Sequence, residues 1–101
     1  MRFDAGTRTR LLATMTLDFD PTGSTVEVKV GPTWYPATWQ GTPTVKAGKW
    51  TQTARTTAYF AGPEADATGA TALTAVRHLT QTRVTSGTDI ITADSDPIDV
   101  S

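Results

Sequence analysis

Apolar residues occupy every second position along the first clearly patterned stretch of the chain. Within Arg10–Phe19 the alternating apolar side chains are Leu11, Ala13, Met15, Leu17 and Phe19, with two threonines among the residues between them. A period of two places these side chains on one face of a strand, whereas a helix repeats them every three or four residues. The pattern predicts a first strand over Arg10–Phe19.

The next segment predicts a turn and a second strand. Residues Asp20–Gly23 place Asp, Pro and Gly where a type I turn prefers them. Three valines then alternate with Glu27 and Lys29 over Val26–Val30, which gives one apolar and one solvated face. Gly31–Thr33 ends this strand.

Trp34–Trp39 predicts a third strand. Because Pro36 has no amide hydrogen to donate to a ladder, we expect this strand to lie at a sheet edge or to carry a bulge. A loop with Gly41, Pro43 and Gly48 is expected next. Further strands are predicted at 50–60, 70–75, 79–85, 90–93 and 98–100, with a loop at 62–69 and turns at 86–89 and 94–97.

Threonine accounts for 22 of the 101 residues, and its β-branched side chain suits a pleated surface. Seven or eight strands spaced about ten residues apart are typical of a β-sandwich or a small barrel. We expect an all-β fold, a single small β-sandwich of about seven or eight antiparallel strands over residues 10–101. Residues 1–9 are polar and lack periodicity, so they predict a flexible N-terminal arm.

The composition excludes several classes of function. Nine basic and ten acidic side chains give a net charge of -1, which is too balanced for phosphate neutralisation, so we expect no nucleic-acid partner. Cysteine is absent, which excludes disulfides and thiolate-ligated metals. The apolar stretch Leu11–Leu17 is too short to span a membrane and no cleavage site follows it, so we expect no membrane partner and no export signal.

The aromatic residues allow three interpretations. Trp34, Tyr35, Trp39 and Trp50 would fill the core, form a flat platform for sugar rings or line a protein interface. Trp34 and Tyr35 are neighbours on one predicted strand, so they must point to opposite faces.

Two further features suggest chemistry only weakly. Asp89, Asp94, Asp96 and Asp99 supply oxygens of the kind that calcium binds, yet they lack the spacing of an EF-hand, and Asp also favours turns. The only histidine, His78, has no catalytic motif around it. We therefore expect neither enzymatic activity nor a cofactor.

Several stretches resemble small virion proteins of long-tailed phages that infect actinobacteria, a β-sandwich family that also includes the collar protein holding L-shaped tail fibres on a coliphage tail. The similarity extends from about Leu11 to the end of the chain. The stretches that carry it are 17–23, 26–30, 34–39, 49–55, 59–63 and 94–100.

This resemblance implies a minor structural protein of the phage tail, without catalytic residues, assembled in the host cytoplasm. It would be present in several copies, as a ring or as decorations, and would bind other virion proteins such as tail-tube, tail-tip or fibre subunits. The arm would be either a disordered terminus or a segment that becomes ordered on a neighbouring subunit. Candidate contact residues are Arg2, Phe3, Arg8, Arg10, Trp34, Tyr59 and Phe60.

Two alternatives remain open. A head decoration or head-to-tail connector protein would have the same composition and differ only in its position in the virion. A carbohydrate-binding module that recognises the host surface would instead present two coplanar, exposed aromatic rings.

The predicted inward face of the second strand can be tested by Val28→Asp. An unpaired buried carboxylate should lower the free energy of unfolding by several kcal/mol, about 2 or more. Thermal or urea denaturation measures the change, and unaltered stability would show that Val28 faces solvent.

Overall fold

The structure, a computed structural model, describes residues 2–100, without the side chains of residues 95 and 96. About 70% of the chain is strand, and the described residues contain no helix, which confirms the all-β class. The strands are β1 Arg2–Phe3, β2 Arg8–Leu17, β3 Thr25–Val30, β4 Thr33–Lys46, β5 Lys49–Ala61, β6 Ala70–Ala72, β7 Arg77–Ser86 and β8 Asp89–Val100.

All eight strands belong to one sheet, in the order β1-β8-β7-β3-β4-β5-β2, with β6 beside the end of β5. Pairing is antiparallel except between β1 and β8 and between β5 and β6. The sheet curls into an open half-barrel, and a β-sandwich of two separate sheets is not confirmed. β2 ends the sheet on one side of the opening, and on the other side the short strand β1 covers only Asp99 and Val100 of the long strand β8.

Most predicted strands are confirmed, with their ends shifted by at most about three residues. The third strand is an exception, because β4 continues to Lys46 through the stretch with Gly41 and Pro43 that was expected to be a loop. The final pair differs, because residues 89–100 form one continuous strand, β8. The expected turn at 94–97 is instead a register shift in the pairing with β7, between His78 and Thr80. The backbone continues through this irregularity without reversing.

Pro36 does not place its strand at an edge, because β4 lies between β3 and β5. Pro36 pairs with Glu27 of β3, while pairing with β5 begins only at Ala37. The expected bulge is present but lies further along, where β4 shifts register between Gln40 and Thr44. Proline is therefore accommodated where β4 has a partner on one side only.

The first reversal occurs one residue later than predicted. The amide of Ser24 donates to the carbonyl of Pro21 at 2.9 Å, and Gly23 has φ 84°. A positive φ at the third position fits a type II turn rather than a type I turn. Asp20 still takes part, because its carboxylate accepts a hydrogen bond from the amide of Thr22 at 2.9 Å.

Alternate residues of the strands point into the curled sheet and form two clusters. The first cluster surrounds Phe3 and Phe60, which are 1% and 0% exposed. The second contains Met15, Leu17 and Val84 near the other end of β2. Val28 is 2% exposed in the first cluster, so it faces the core as the valine alternation predicts.

Threonines cover much of the opposite, outward face of β2 and β5. The hydroxyl groups of Thr14 and Thr53 form a hydrogen bond of 2.9 Å, and those of Thr16 and Thr51 form one of 3.2 Å. Cross-strand threonine pairs of this kind stabilise a sheet.

The N-terminal residues do not form the expected flexible arm. Arg2–Phe3 pairs in parallel with Asp99 and Val100 of β8, and residues 8 and 9 already belong to β2. Met1 lies outside the described residues. Burial of the Phe3 ring in the core holds this segment in place, because an exposed ring would forfeit roughly 1.5–3 kcal/mol of transfer free energy.

Residues 4–7 cross the opening of the half-barrel, and we call them the closing link. The amide of Thr7 donates to the carbonyl of Asp4 at 2.9 Å, which makes the link a turn. The segment after β5 holds it: the amide of Gly62 donates to Thr7 O and the amide of Glu64 donates to Ala5 O, both at 2.9 Å. The link thus joins the two ends of the sheet.

Gly62→Ala tests this contact. A Cβ at position 62 would clash with the backbone carbonyl group of Ala5, so the closing link must shift. We expect the free energy of unfolding to fall by about 1–3 kcal/mol, as for other overpacked sites. Chemical denaturation provides the measurement.

Gly6→Ala is the matched control on the same link. A Cβ at position 6 has no atom within 4 Å, and Gly6 does not have a positive φ. We expect an unchanged or slightly higher free energy of unfolding, because alanine lowers the conformational entropy of the unfolded chain. Equal effects of the two substitutions would contradict the assigned contact.

Candidate functional site

The structure divides the seven candidate contact residues into two groups. Phe3 and Phe60 are core residues, so their rings are not accessible to a partner. The other five, Arg2, Arg8, Arg10, Trp34 and Tyr59, have side chains that are at least partly exposed.

Arg8, Arg10 and Tyr59 come together on the outward face, and we call them the arginine–tyrosine cluster. The guanidinium carbons of Arg8 and Arg10 lie 4.8 Å and 4.7 Å from the centroid of the Tyr59 ring. Each contact stabilises by roughly 0.5–1 kcal/mol at an exposed site. Pairing of β2 with β5 produces the arrangement, because Arg10 lies opposite Tyr59 in the ladder.

The charge of this cluster is only partly compensated. Arg8 donates to the carbonyl of Thr68 at 3.0 Å and lies near Asp66. The Nε of Arg10 is buried without a hydrogen-bond partner, and no carboxylate pairs with Arg10 among the described side chains. The start of β2 therefore presents positive charge to a potential partner.

Arg2 lies outside this cluster, beyond the opening of the sheet. Its Nε is 3.3 Å from a carboxylate oxygen of Asp4, and both side chains are well exposed. An exposed pair of this kind contributes little to stability.

Trp34 lies in a second cluster on the outward face, with Glu27, Lys29 and Arg83. The guanidinium of Arg83 lies 4.1 Å from the Trp34 ring centroid, and Lys29 Nζ lies 5.7 Å from it. Glu27 pairs with Arg83 at 2.9 Å. Because Arg83 lies over this ring, Trp34 does not present it as an open surface for stacking.

The other aromatic rings do not join Trp34 on one surface. Tyr35 points inward and packs edge-to-face on Phe60, with ring centroids 4.9 Å apart, which confirms that Trp34 and Tyr35 face opposite sides. Trp39 packs on the second core cluster, and its Nε1 donates to Ser24 O at 3.0 Å. Trp50 is half-buried opposite Leu17.

The aspartates of β8 are dispersed along the strand. Asp89 begins the strand, Asp94 accepts a hydrogen bond from Gln81 Nε2 at 3.1 Å, and Asp99 accepts one from Arg77 Nε at 2.7 Å. The Asp96 side chain lies outside the described residues. Within the described part of the chain, no three His, Cys, Asp or Glu side chains form a group that could hold a metal ion.

His78 lies at the start of β7, and its Nε2 is 3.0 Å from the carbonyl oxygen of Thr74. This contact orients the ring toward the backbone. The described hydrogen bonds and ion pairs bring neither a carboxylate nor a nucleophile to the ring.

A groove of about 480 Å³ lies near the register shift between β7 and β8. Its lining includes Leu79, which is 70% exposed. The other lining residues are Lys29, Gly31, Thr80, Gln81, Asp94 and Pro97. The groove adjoins the β8 edge and presents mainly a small apolar surface with one cation and one carboxylate.

The edge strands β2 and β8 carry opposite charges, a feature that the sequence analysis missed. β2 contains Arg8 and Arg10 and no acidic residue, whereas β8 contains four aspartates and no basic residue. The two segments lie at opposite ends of the sequence, so only the sheet order reveals that both are edges. In the sequence this feature is visible only as arginines near the start of the chain and aspartates near its end.

No helix in the described part of the chain is long and apolar enough to cross a membrane. No protein-family model, curated protein or solved structure matches the chain.

The ion pair between Arg77 and Asp99 gives a pH-dependent prediction. The hydrogen bond from Arg77 holds the pKa of Asp99 below its ordinary value. The stabilisation is therefore present above the ordinary aspartate pKa and is lost as the pH falls through the lowered pKa of the folded state. We expect Arg77→Gln to raise the pKa of Asp99, measured by NMR titration of the carboxyl carbon.

Asp20 provides the internal control for this titration. Hydrogen bonds from Thr22 lower the pKa of Asp20, so Arg77→Gln should leave it unchanged. An unaltered pKa of Asp99 in the variant would contradict the ion pair.

Proposed function

We propose that this chain is a non-enzymatic structural protein of a bacteriophage virion, a minor tail protein that forms a ring or decoration on the tail and binds other virion subunits. In this proposal the curled sheet corresponds to the β-sandwich of the family that the sequence resembles. The resemblance over most of the chain supplies the phage context. The observation that carries the binding role is a sheet whose strands β2 and β8 each have a largely unpaired outer side and carry opposite charges.

The distribution of polar groups supports a binding role over a catalytic one. The outward face presents the arginine–tyrosine cluster and the Trp34 cluster, both of which offer charge and aromatic surface. Arginine, tyrosine and tryptophan are enriched where proteins bind one another. In a repeated assembly, individually weak contacts of this kind sum to durable attachment.

A head decoration or head-to-tail connector protein is the second candidate, because the same surfaces would serve at either place in the virion. A carbohydrate-binding module is less well supported. Trp34 has Arg83 over its ring, and Tyr35 packs on Phe60 in the core, so these rings form no common stacking surface.

Cryo-electron microscopy of the intact phage particle that contains this protein tests the proposal. We expect density for the curled sheet at repeated positions on the tail, in contact with tube, tip or fibre subunits. Density on the capsid or its exit vertex would contradict the tail assignment and favour the second candidate. Absence of the chain from purified particles would overturn the virion proposal.

Tryptophan fluorescence tests the carbohydrate alternative separately. We expect host cell-wall polysaccharide to leave the emission of the protein unchanged, in Trp34→Phe as in the unsubstituted chain. A saturable shift that is lost in Trp34→Phe would favour the carbohydrate-binding module. Trp39→Phe serves as the control, since Trp39 packs on the core.

A further inference from the structure

The two long edge strands have backbone groups without a strand partner. β2 pairs only with β5, and β8 pairs with β7 and, at Asp99 and Val100 alone, with β1. Within the described part of the chain, no strand is hydrogen-bonded in a ladder to the outer side of β2 or of residues 89–94, although β2 and β8 of the same chain approach each other. An unpaired edge is a template on which another strand can add.

Each of these edges also has charge that its own chain leaves unpaired. Arg10 contacts the Tyr59 ring but no described carboxylate, and its Nε is buried without a hydrogen-bond partner. Asp94 accepts a hydrogen bond from the neutral amide of Gln81 rather than from a cation. One edge thus offers positive charge and the other negative charge.

Exposed apolar side chains accompany the charges on both edges. Leu12 of β2 is 57% exposed and Ile90 of β8 is 64% exposed, and both belong to the small set of large apolar residues that face solvent. Covering them would add apolar burial to charge attraction.

The direction of the two strands suits mutual pairing. Five successive antiparallel pairings lead from β8 through β7, β3, β4 and β5 to β2. The strands β2 and β8 are therefore antiparallel to each other, which is the more stable arrangement for a ladder.

We propose that β2 of one copy of this chain pairs with β8 of a second copy, so that copies join head to tail through a continuous antiparallel sheet. This proposal rests on the proposed function, which requires several copies. The contact uses different surfaces on the two copies, so repeating it closes a ring when the rotation permits and otherwise extends a filament. Because the two edges carry opposite charges, the strand that best complements one edge is the other edge of a second copy.

A register that pairs Arg10 with Asp94 on the outward face also places inward-facing residues of the two strands opposite each other. With Arg10 opposite Asp94, the sequence numbers of paired residues sum to 104, so Leu12 lies opposite Thr92 and Ala13 opposite Ile91. Ala13 is buried and Ile91 packs on the second core cluster, so the inward faces coincide. A slip by one residue would place outward residues opposite inward ones.

Charge reversal tests the proposal by sedimentation of the purified full chain. We expect the unsubstituted chain to self-associate, and Arg10→Glu or Asp94→Arg each to weaken association by at least about tenfold. The double variant, Arg10→Glu with Asp94→Arg, should regain most of the lost association, because a glutamate at position 10 would face an arginine at position 94. Lys46→Glu, at the exposed end of β4, is the control and should change little.

The unsubstituted chain remaining monomeric, or associating with no response to either reversal, would overturn the proposal. Circular dichroism establishes that each variant is folded. Arg10 stacks on Tyr59, so its substitution carries a risk to the fold. If Arg10→Glu does not fold, Asp94→Arg alone decides the outcome, because Asp94 is exposed.

Cross-linking tests the register, since the chain has no cysteine of its own. In the double variant Leu12→Cys with Thr92→Cys, opposite residues of an antiparallel pair would have Cβ atoms about 4.5–5.5 Å apart, close to disulfide range. Mild oxidation should give a ladder of covalent oligomers on a non-reducing gel. The control Val45→Cys with Thr92→Cys replaces the edge position by an exposed residue of β4 and should give none.

A disulfide within a single chain would show that β2 and β8 close their own barrel, and it would overturn the proposal, as would the absence of cross-links. These measurements need no phage particle. Head-to-tail association by a chain that is missing from the virion would refute the proposed function alone. Virion copies that meet through other surfaces would refute this inference alone.

Discussion

The closing link at residues 4–7 is the constraint on which the rest of this fold depends. It connects β1, beside β8, to β2 at the other end of the sheet. Five residue steps separate Phe3 from Arg8 and reach at most about 18 Å when extended. The sheet must therefore curl until its ends approach, and this curvature encloses the core. Leu11 and Ile98, from the two edge strands, accordingly share the first core cluster.

The closing link and β1 bridge only one end of the opening between β2 and β8, and the rest of the opening has no bridging strand among the described residues. β1 covers only the last two residues of β8, so most of both long edges stays unpaired. On the outward face of the inner strands, Glu27 and Arg83 pair with each other. At the edges, Arg10 and Asp94 have no oppositely charged partner among the described side chains. Unpaired backbone groups and the charges of Arg10 and Asp94 thus lie on the same two strands, where a strand of another subunit would pair with both.

The alternation of apolar residues was sufficient to predict the all-β class and the inward face of β3, because a period of two is a local property of a strand. It was not sufficient for the sheet order, since pairing partners such as β3 and β7 are distant in sequence. The prediction of a flexible N-terminal arm was wrong for a related reason. A single buried side chain, Phe3, holds this segment on the core, and one residue cannot produce a periodic pattern in the sequence. Likewise, the arginine–tyrosine cluster exists only because β2 lies beside β5, and the opposite charges of the two edges matter only because β2 and β8 end the sheet.

Amide hydrogen exchange of the full chain, followed by NMR, tests the role of the closing link most directly. The amides of Gly62 and Glu64 donate to carbonyls of the link, although neither belongs to a strand. The account predicts that they exchange slowly, with protection comparable to that of core strand amides, because releasing them requires the sheet to open. Exchange at the rate of an exposed loop would show that the link is free and would contradict the account.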